Sequence, residues 1–122
     1  MTKIAIIEDD VVISHMYRMK FESEGFEVQL ASSGERGIAL VETFRPDMIL
    51  LDLTMPGVDG TETLKNIRSE DWGKNIPVII LTNTGEEEAP SELKDMGVTG
   101  YIVKANNTPK QVVQQVREAL EG

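Results

Sequence analysis

The sequence predicts an α/β fold of the (βα)₅ kind, a doubly wound five-stranded parallel sheet, and two observations predict it. Five short apolar runs recur at similar intervals, at Ile4 to Ile7, Val28 to Ala31, Met48 to Leu53, Val78 to Leu81 and Tyr101 to Val103. Segments with helical apolar spacing lie between them. Runs this short and rich in Ile, Val and Leu read as strands buried on both faces. Alternation of strand and helix implies parallel pairing, right-handed crossovers and helices on both sides of the sheet.

Each helix carries its own signals. Ile13, Met16, Tyr17 and Phe21 mark one face of the first, Asp10 stands at its cap and Gly25 closes it. Ile38, Val41 and Phe44 mark the second, opened by Ser32 with Glu35 three residues on, a capping-box pattern. Leu64 and Ile67 mark the third. The fourth is expected to be short and comparatively mobile, with Pro90 in its first turn before Leu93 and Met96. Glu86 to Glu88 read there as a solvated helix start favoured by the dipole. Thr108, Pro109 and Gln111 open the last helix, whose face is Val112, Val116 and Leu120.

The 122 residues fit one domain, expected to span 1–122. A chain of that length buries about two-thirds of its unfolded surface and folds without staples. The absence of cysteine excludes disulfides and thiolate metal sites, which suits a reducing cytoplasm. A net charge of −9 argues against nucleic acid or an anionic membrane as a direct partner. The apolar start is interrupted by Glu8, Asp9 and Asp10 and is no signal peptide. No apolar run approaches the roughly 20 residues of a membrane helix. A cytoplasmic location is the expectation.

In such sheets ligands bind beyond the carboxyl ends of the strands. Glu8, Asp9 and Asp10 follow the first strand, Asp52 ends the third, Thr82 the fourth and Lys104 the fifth. If the first and third strands are adjacent, Glu8, Asp9 and Asp52 converge. Crowded carboxylates repel and raise one another's pKa. A hard divalent cation removes that conflict, and Mg²⁺ prefers one or two carboxylates, retained waters and phosphate oxygens. An ionised Asp52 is then a nucleophile for phosphorus. Lys104 offers a positive charge and Thr82 a hydroxyl donor for phosphoryl oxygens.

At these residues the sequence resembles the receiver domains of two-component response regulators. The resemblance runs from Lys3 to Leu120. Glu8-Asp9, Asp52 with Met55-Pro56-Gly57 and Asp59-Gly60, then Thr82, Tyr101 and Lys104 carry it, in order and at receiver-like spacing. It implies the flavodoxin-like strand order 2-1-3-4-5. It implies that Asp52 accepts a phosphoryl group from a histidine kinase, a phosphotransfer protein or a small phosphodonor. Mg²⁺ falls to Asp9, Asp52 and the backbone carbonyl of Thr54, with Glu8 acting mainly through water. Thr82 and Lys104 would contact the phosphoryl group. Tyr101 would turn inward as Thr82 moves, changing the surface of the fourth helix, fifth strand and fifth helix that a downstream protein reads. The resemblance implies a switch with only self-catalysed phosphorylation and dephosphorylation, not an enzyme. Whether the receiver stands alone, relays the phosphoryl group or comes from a longer regulator stays open.

Two positions depart from the family. Ala105 follows the lysine where relatives usually have proline after a cis peptide, and a non-proline cis bond costs about 3 kcal/mol. A reshaped loop helped by Asn106 and Asn107 is expected. Asn83 replaces a usually small residue and either crowds the phosphoryl pocket or donates to it. His15 reads as a surface residue and Trp72 as a cover for nearby apolar surface. Met16, Met19, Met48 and Met96 read as packing residues.

Three other functions fit less well. A phosphatase of the haloacid-dehalogenase kind needs a second Asp two residues after the nucleophile, where Thr54 stands. A mononucleotide binder needs hydroxyls and N–H groups where Glu8, Asp9 and Asp10 repel phosphate, and no GxGxxG or Walker motif is present. A pseudo-receiver, binding partners without phosphorylation, is favoured only by Ala105 and Asn83.

Overall fold

The computed structural model describes residues 1–53, 59–83 and 90–121. Strands β1 (Lys3–Ile7), β2 (Glu27–Ala31), β3 (Met48–Asp52), β4 (Val78–Thr82) and β5 (Val98–Val103) form one sheet in the order β2-β1-β3-β4-β5. Every neighbouring pair is parallel. Helices α1 (Val11–Ser23), α2 (Gly34–Phe44), α3 (Gly60–Ser69) and α4 (Pro109–Glu121) complete it. The predicted architecture and strand order are those observed.

Alternation along the buried strands sorts side chains into two cores. Ile4, Ile6, Met48, Leu50, Ile79 and Leu81 face one way, against Tyr17 and Phe21 of α1 and Val112, Val113 and Val116 of α4. Ala5, Ile7, Ile49, Leu51, Val78 and Ile80 face the other, against Val41 and Phe44 of α2 and Leu64 and Ile67 of α3. Because β1, β3 and β4 are apolar on both faces, neither side can be left to water. Trp72 is half-buried against the second core, as expected of a cover.

The helix ends show where local reading works. Thr108 Oγ1 accepts from the Gln111 N–H at 3.3 Å, and the Thr108 N–H donates to Gln111 Oε1 at 2.7 Å. This reciprocal pair is the capping box expected there. Thr108→Ala is expected to lower stability by about 1 kcal/mol, read as a lower urea midpoint at unchanged m-value. The Asp10 carboxylate accepts from the Ile13 N–H at 3.0 Å and caps α1. Gly25, at φ +95°, follows α1 in a conformation that side chains disfavour.

Two expectations are corrected. The cap of α2 is Ser33, whose hydroxyl accepts from the Arg36 N–H at 3.2 Å. The helix starts one residue later than the Ser32–Glu35 spacing suggests, so that box does not form. Among the described residues the fourth crossover holds a 3₁₀ turn, Ser91–Met96, rather than an α-helix. Pro90 precedes it and Gly97, at φ +69°, ends it, leaving six residues, too few for an amphipathic α-helix. Leu93 nonetheless buries fully in the second core. Glu86 to Glu88 lie outside the described residues. The helix after β5 is therefore α4.

Candidate functional site

Strand register brings the chemical groups to one edge. Ile7 pairs with Leu51, so Glu8 and Asp52, the next residue on each strand, emerge side by side. Asp52 pairs with Leu81, and Thr82 with Val103, so Thr82 and Lys104 stand at the same carboxyl edge. Glu8, Asp9 and Asp52 present oxygens that all lie within 4.8 Å of one another. Glu8, Asp52 and Thr82 are 1%, 2% and 4% exposed, which is unusual for two acids and demands compensation.

Lys104 supplies part of it. Its Nζ donates to Glu8 Oε1 at 2.8 Å and stands 3.4 Å from Asp52 Oδ1. The Asp10 N–H donates to Glu8 Oε2 at 3.3 Å. Burial pushes the Glu8 carboxyl up. Hydrogen bonds with Asp52, Lys104 and the Asp10 N–H, with the Lys104 charge, outweigh it and hold Glu8 below the usual range. Burial pushes the Lys104 ammonium down, but its hydrogen bond to Glu8 and the charges of Asp52 and Glu8 leave it above the ordinary lysine value. Lys104 is thus a fixed cation at neutral pH.

The charge does not balance without a further guest. Fully ionised, three carboxylates and one ammonium carry a net charge of two minus. The cluster therefore either retains a proton or takes up a cation. Three buried or half-buried carboxylates suit a hard, oxygen-seeking ion, so this cluster fits a metal.

The other predicted residues are placed as follows. Tyr101 is half-buried against the core that contains Ile80 and Leu93. Asn83 is exposed. Thr54, with Met55, Pro56 and Gly57, lies outside the described residues. His15 is exposed, yet it lines a small cavity with Glu8, Ser14 and Arg36. The Lys104–Ala105 peptide is trans, and Lys104–Asn106 form a 3₁₀ turn.

Sequence reasoning left Gly60 as a motif letter without a role. A Cβ on Gly60 would strike the Asp52 carbonyl and the Leu53 backbone. The Gly60 N–H donates to the Leu53 carbonyl at 3.0 Å. The start of α3 is thus pressed onto the strand end that carries Asp52, which only glycine allows.

Known proteins are similar to this chain in sequence and fold. The family model described as response regulator receiver domain matches residues 4–117. Transcriptional regulatory protein ResD of Bacillus subtilis (strain 168) is 38% identical over 119 residues, covering 98% of this chain and 48% of that protein. Sporulation initiation phosphotransferase F of the same organism is 33% identical over 119 residues, covering 98% of this chain and 90% of that protein. The structure of chemotaxis response regulator CheY4 of Vibrio cholerae superimposes with a TM-score of 0.90 at 28% identity, covering 98% of each chain. The chain spans about half the length of the first curated relatives it matches. Among the described residues no helix is long and apolar enough to cross a membrane. With the acidic cluster, the lysine and the strand order all in place, the chain belongs to the response regulator receiver domain family.

Proposed function

We propose that the protein is a phosphoacceptor in a two-component relay and takes the phosphoryl group on Asp52. The observation that carries this reading is the convergence of buried Asp52 with Glu8, Asp9 and Lys104 at one sheet edge. An Asp52 carboxylate oxygen attacks phosphorus, and the bond to the donor breaks. From a phosphohistidine the departing group is the imidazole; from acetyl phosphate it is acetate. Lys104 neutralises charge on the phosphoryl oxygens and the Thr82 hydroxyl donates to them. When bound, Mg²⁺ would supply further charge neutralisation, held by Asp9, Asp52 and the Thr54 carbonyl, with Glu8 acting through water.

The readout is proposed on the far side of the sheet edge. Tyr101, Gly100 and Ile102 of β5, with Gln115 and Ala119 of α4, line a groove of about 330 Å³. Thr82 moving toward the phosphoryl group would let Tyr101 turn inward, reshaping that groove and the adjoining fourth crossover for a downstream protein. The domain then acts as a cytoplasmic switch, self-catalysing only its own phosphorylation and dephosphorylation, without contacting nucleic acid or membrane itself. A donor histidine kinase or phosphotransfer protein suits the near full-length similarity to a sporulation phosphotransferase.

The test is intact mass after incubation with acetyl phosphate. A gain of one phosphoryl group with Mg²⁺, absent with chelator and reversed by hydroxylamine, is expected of an acyl phosphate. No gain with either acetyl phosphate or a phosphorylated histidine kinase would turn the reading toward a pseudo-receiver.

A further inference from the structure

We propose that Asn107, together with Gln115, is a positioning residue for Lys104. The proposal rests on the reading of Lys104 as a phosphoryl-contacting residue. Lys104 leaves β5 at Val103 and enters a turn whose next two residues, Ala105 and Asn106, are exposed and touch no core. Nothing in those two side chains holds the ammonium at Glu8 and Asp52. Asn107 does so from the other end of the turn. Its Nδ2 donates back to the Val103 carbonyl at 2.9 Å, which closes the turn across the lysine. Its Oδ1 accepts from Gln115 Nε2 at 2.8 Å, which ties the turn to α4. The two bonds fix each other's direction: an amide nitrogen facing a carbonyl leaves its oxygen for the glutamine N–H. Both residues are half-buried, so these bonds compete with water less than surface bonds do. Gln115 is anchored in turn by α4, whose Val112, Val113 and Val116 are buried in the core.

The segment Val103–Asn107 is therefore a short bracket with one end in the sheet and the other on a helix. Within it, Lys104 Nζ reaches the carboxylates of Glu8 and Asp52. Loosening the bracket lets the ammonium wander and lowers its mean charge contribution at the phosphoryl position. Losing one or two hydrogen bonds that act wholly through this placement slows transfer roughly five- to tenfold.

The experiment combines a rate with a direct view of the lysine. Asn107→Ala and Gln115→Ala are assayed for labelling by acetyl phosphate with Mg²⁺, alone and in a Lys104→Ala background. Heteronuclear NMR follows the Lys104 ammonium, which its bond to buried Glu8 protects from exchange. The expected result is a slowed Asn107→Ala, a smaller effect of Gln115→Ala, and no further slowing by either once Lys104 is gone. The Lys104 ammonium signal is expected to disappear in Asn107→Ala while the amide spectrum of the core strands is kept. A Lys104 signal unchanged by Asn107→Ala, or a slowing that persists without Lys104, overturns the proposal. An Asn107-dependent signal in a protein that accepts no phosphoryl group leaves the positioning standing and removes only the functional reading beneath it.

Discussion

Asp52→Asn is expected to abolish phosphoryl acceptance and, without added Mg²⁺, to make the protein more stable. The first effect is chemical: a neutral amide is no nucleophile for phosphorus, and among the described residues no other acid ends a strand beside Glu8. The second effect follows from crowding. Asp52 is 2% exposed and lies against Glu8, so the wild type either repels or must find a proton. The amide introduced by the substitution would donate to Glu8 with no charge of its own. The gain is expected to be about 1 kcal/mol at neutral pH, shrinking as pH falls and protonation relieves the wild type. Stability sacrificed for function at such a site is common. Urea unfolding of both proteins, with and without MgCl₂, measures it. The wild type is expected to recover the difference as Mg²⁺ is added, and Asp52→Asn to respond weakly. A variant less stable than wild type in the absence of Mg²⁺ would mean that Asp52 is a net structural asset and the crowding argument is wrong.

Lys104→Ala is expected to move stability the other way. Removing the ammonium strands Glu8, which is fully buried and whose strongest cationic partner is 2.8 Å away. Breaking a buried pair from one side costs about 3 kcal/mol. The pH dependence has a definite sign. Glu8 titrates below its ordinary range when folded, so its contribution is present above the normal glutamate range and fades as pH falls through the folded value. Lys104 titrates above its ordinary range, so its contribution is present below the normal lysine range and fades as pH rises through the folded value. The deficit of Lys104→Ala is thus expected to be widest between those limits and to narrow in acid, where Glu8 takes a proton. Mg²⁺ is expected to restore part of it, because a cation at 100 times its Kd adds about 2.7 kcal/mol. Labelling by acetyl phosphate is expected to slow about a hundredfold, the usual scale for losing one preorganised charge at a reacting oxygen. A deficit that does not narrow as pH falls would sink this account of Glu8.

These two substitutions act on groups far apart in the chain, and that separates what was legible early from what was not. Period-two and period-3.6 apolar patterns are local properties, so strands such as Met48–Asp52 and the capped start of α4 could be read from a few residues at a time. The acids after β1, Asp52, Thr82 and Lys104 could be assigned to one edge because parallel strands all end there. Where local signals compete, reading failed by small amounts. Ser32 and Ser33 offer the same hydroxyl, and it is Ser33 that caps α2. Leu93 and Met96 have helical spacing, yet Pro90 and Gly97 leave room for a 3₁₀ turn alone.

Local patterning was enough to specify the strands, most of the helices and which residues follow the strands at the carboxyl edge, because each of these depends on near neighbours, whereas the strand order came from the family resemblance. Folding in three dimensions settled that Lys104 leans on Glu8 across 96 positions, that Asn107 ties the turn after β5 to α4 and that Gly60 admits α3 against Asp52. Those outcomes depend on desolvation and close packing between distant segments, and no local pattern encodes the distance at which two buried charges come to rest.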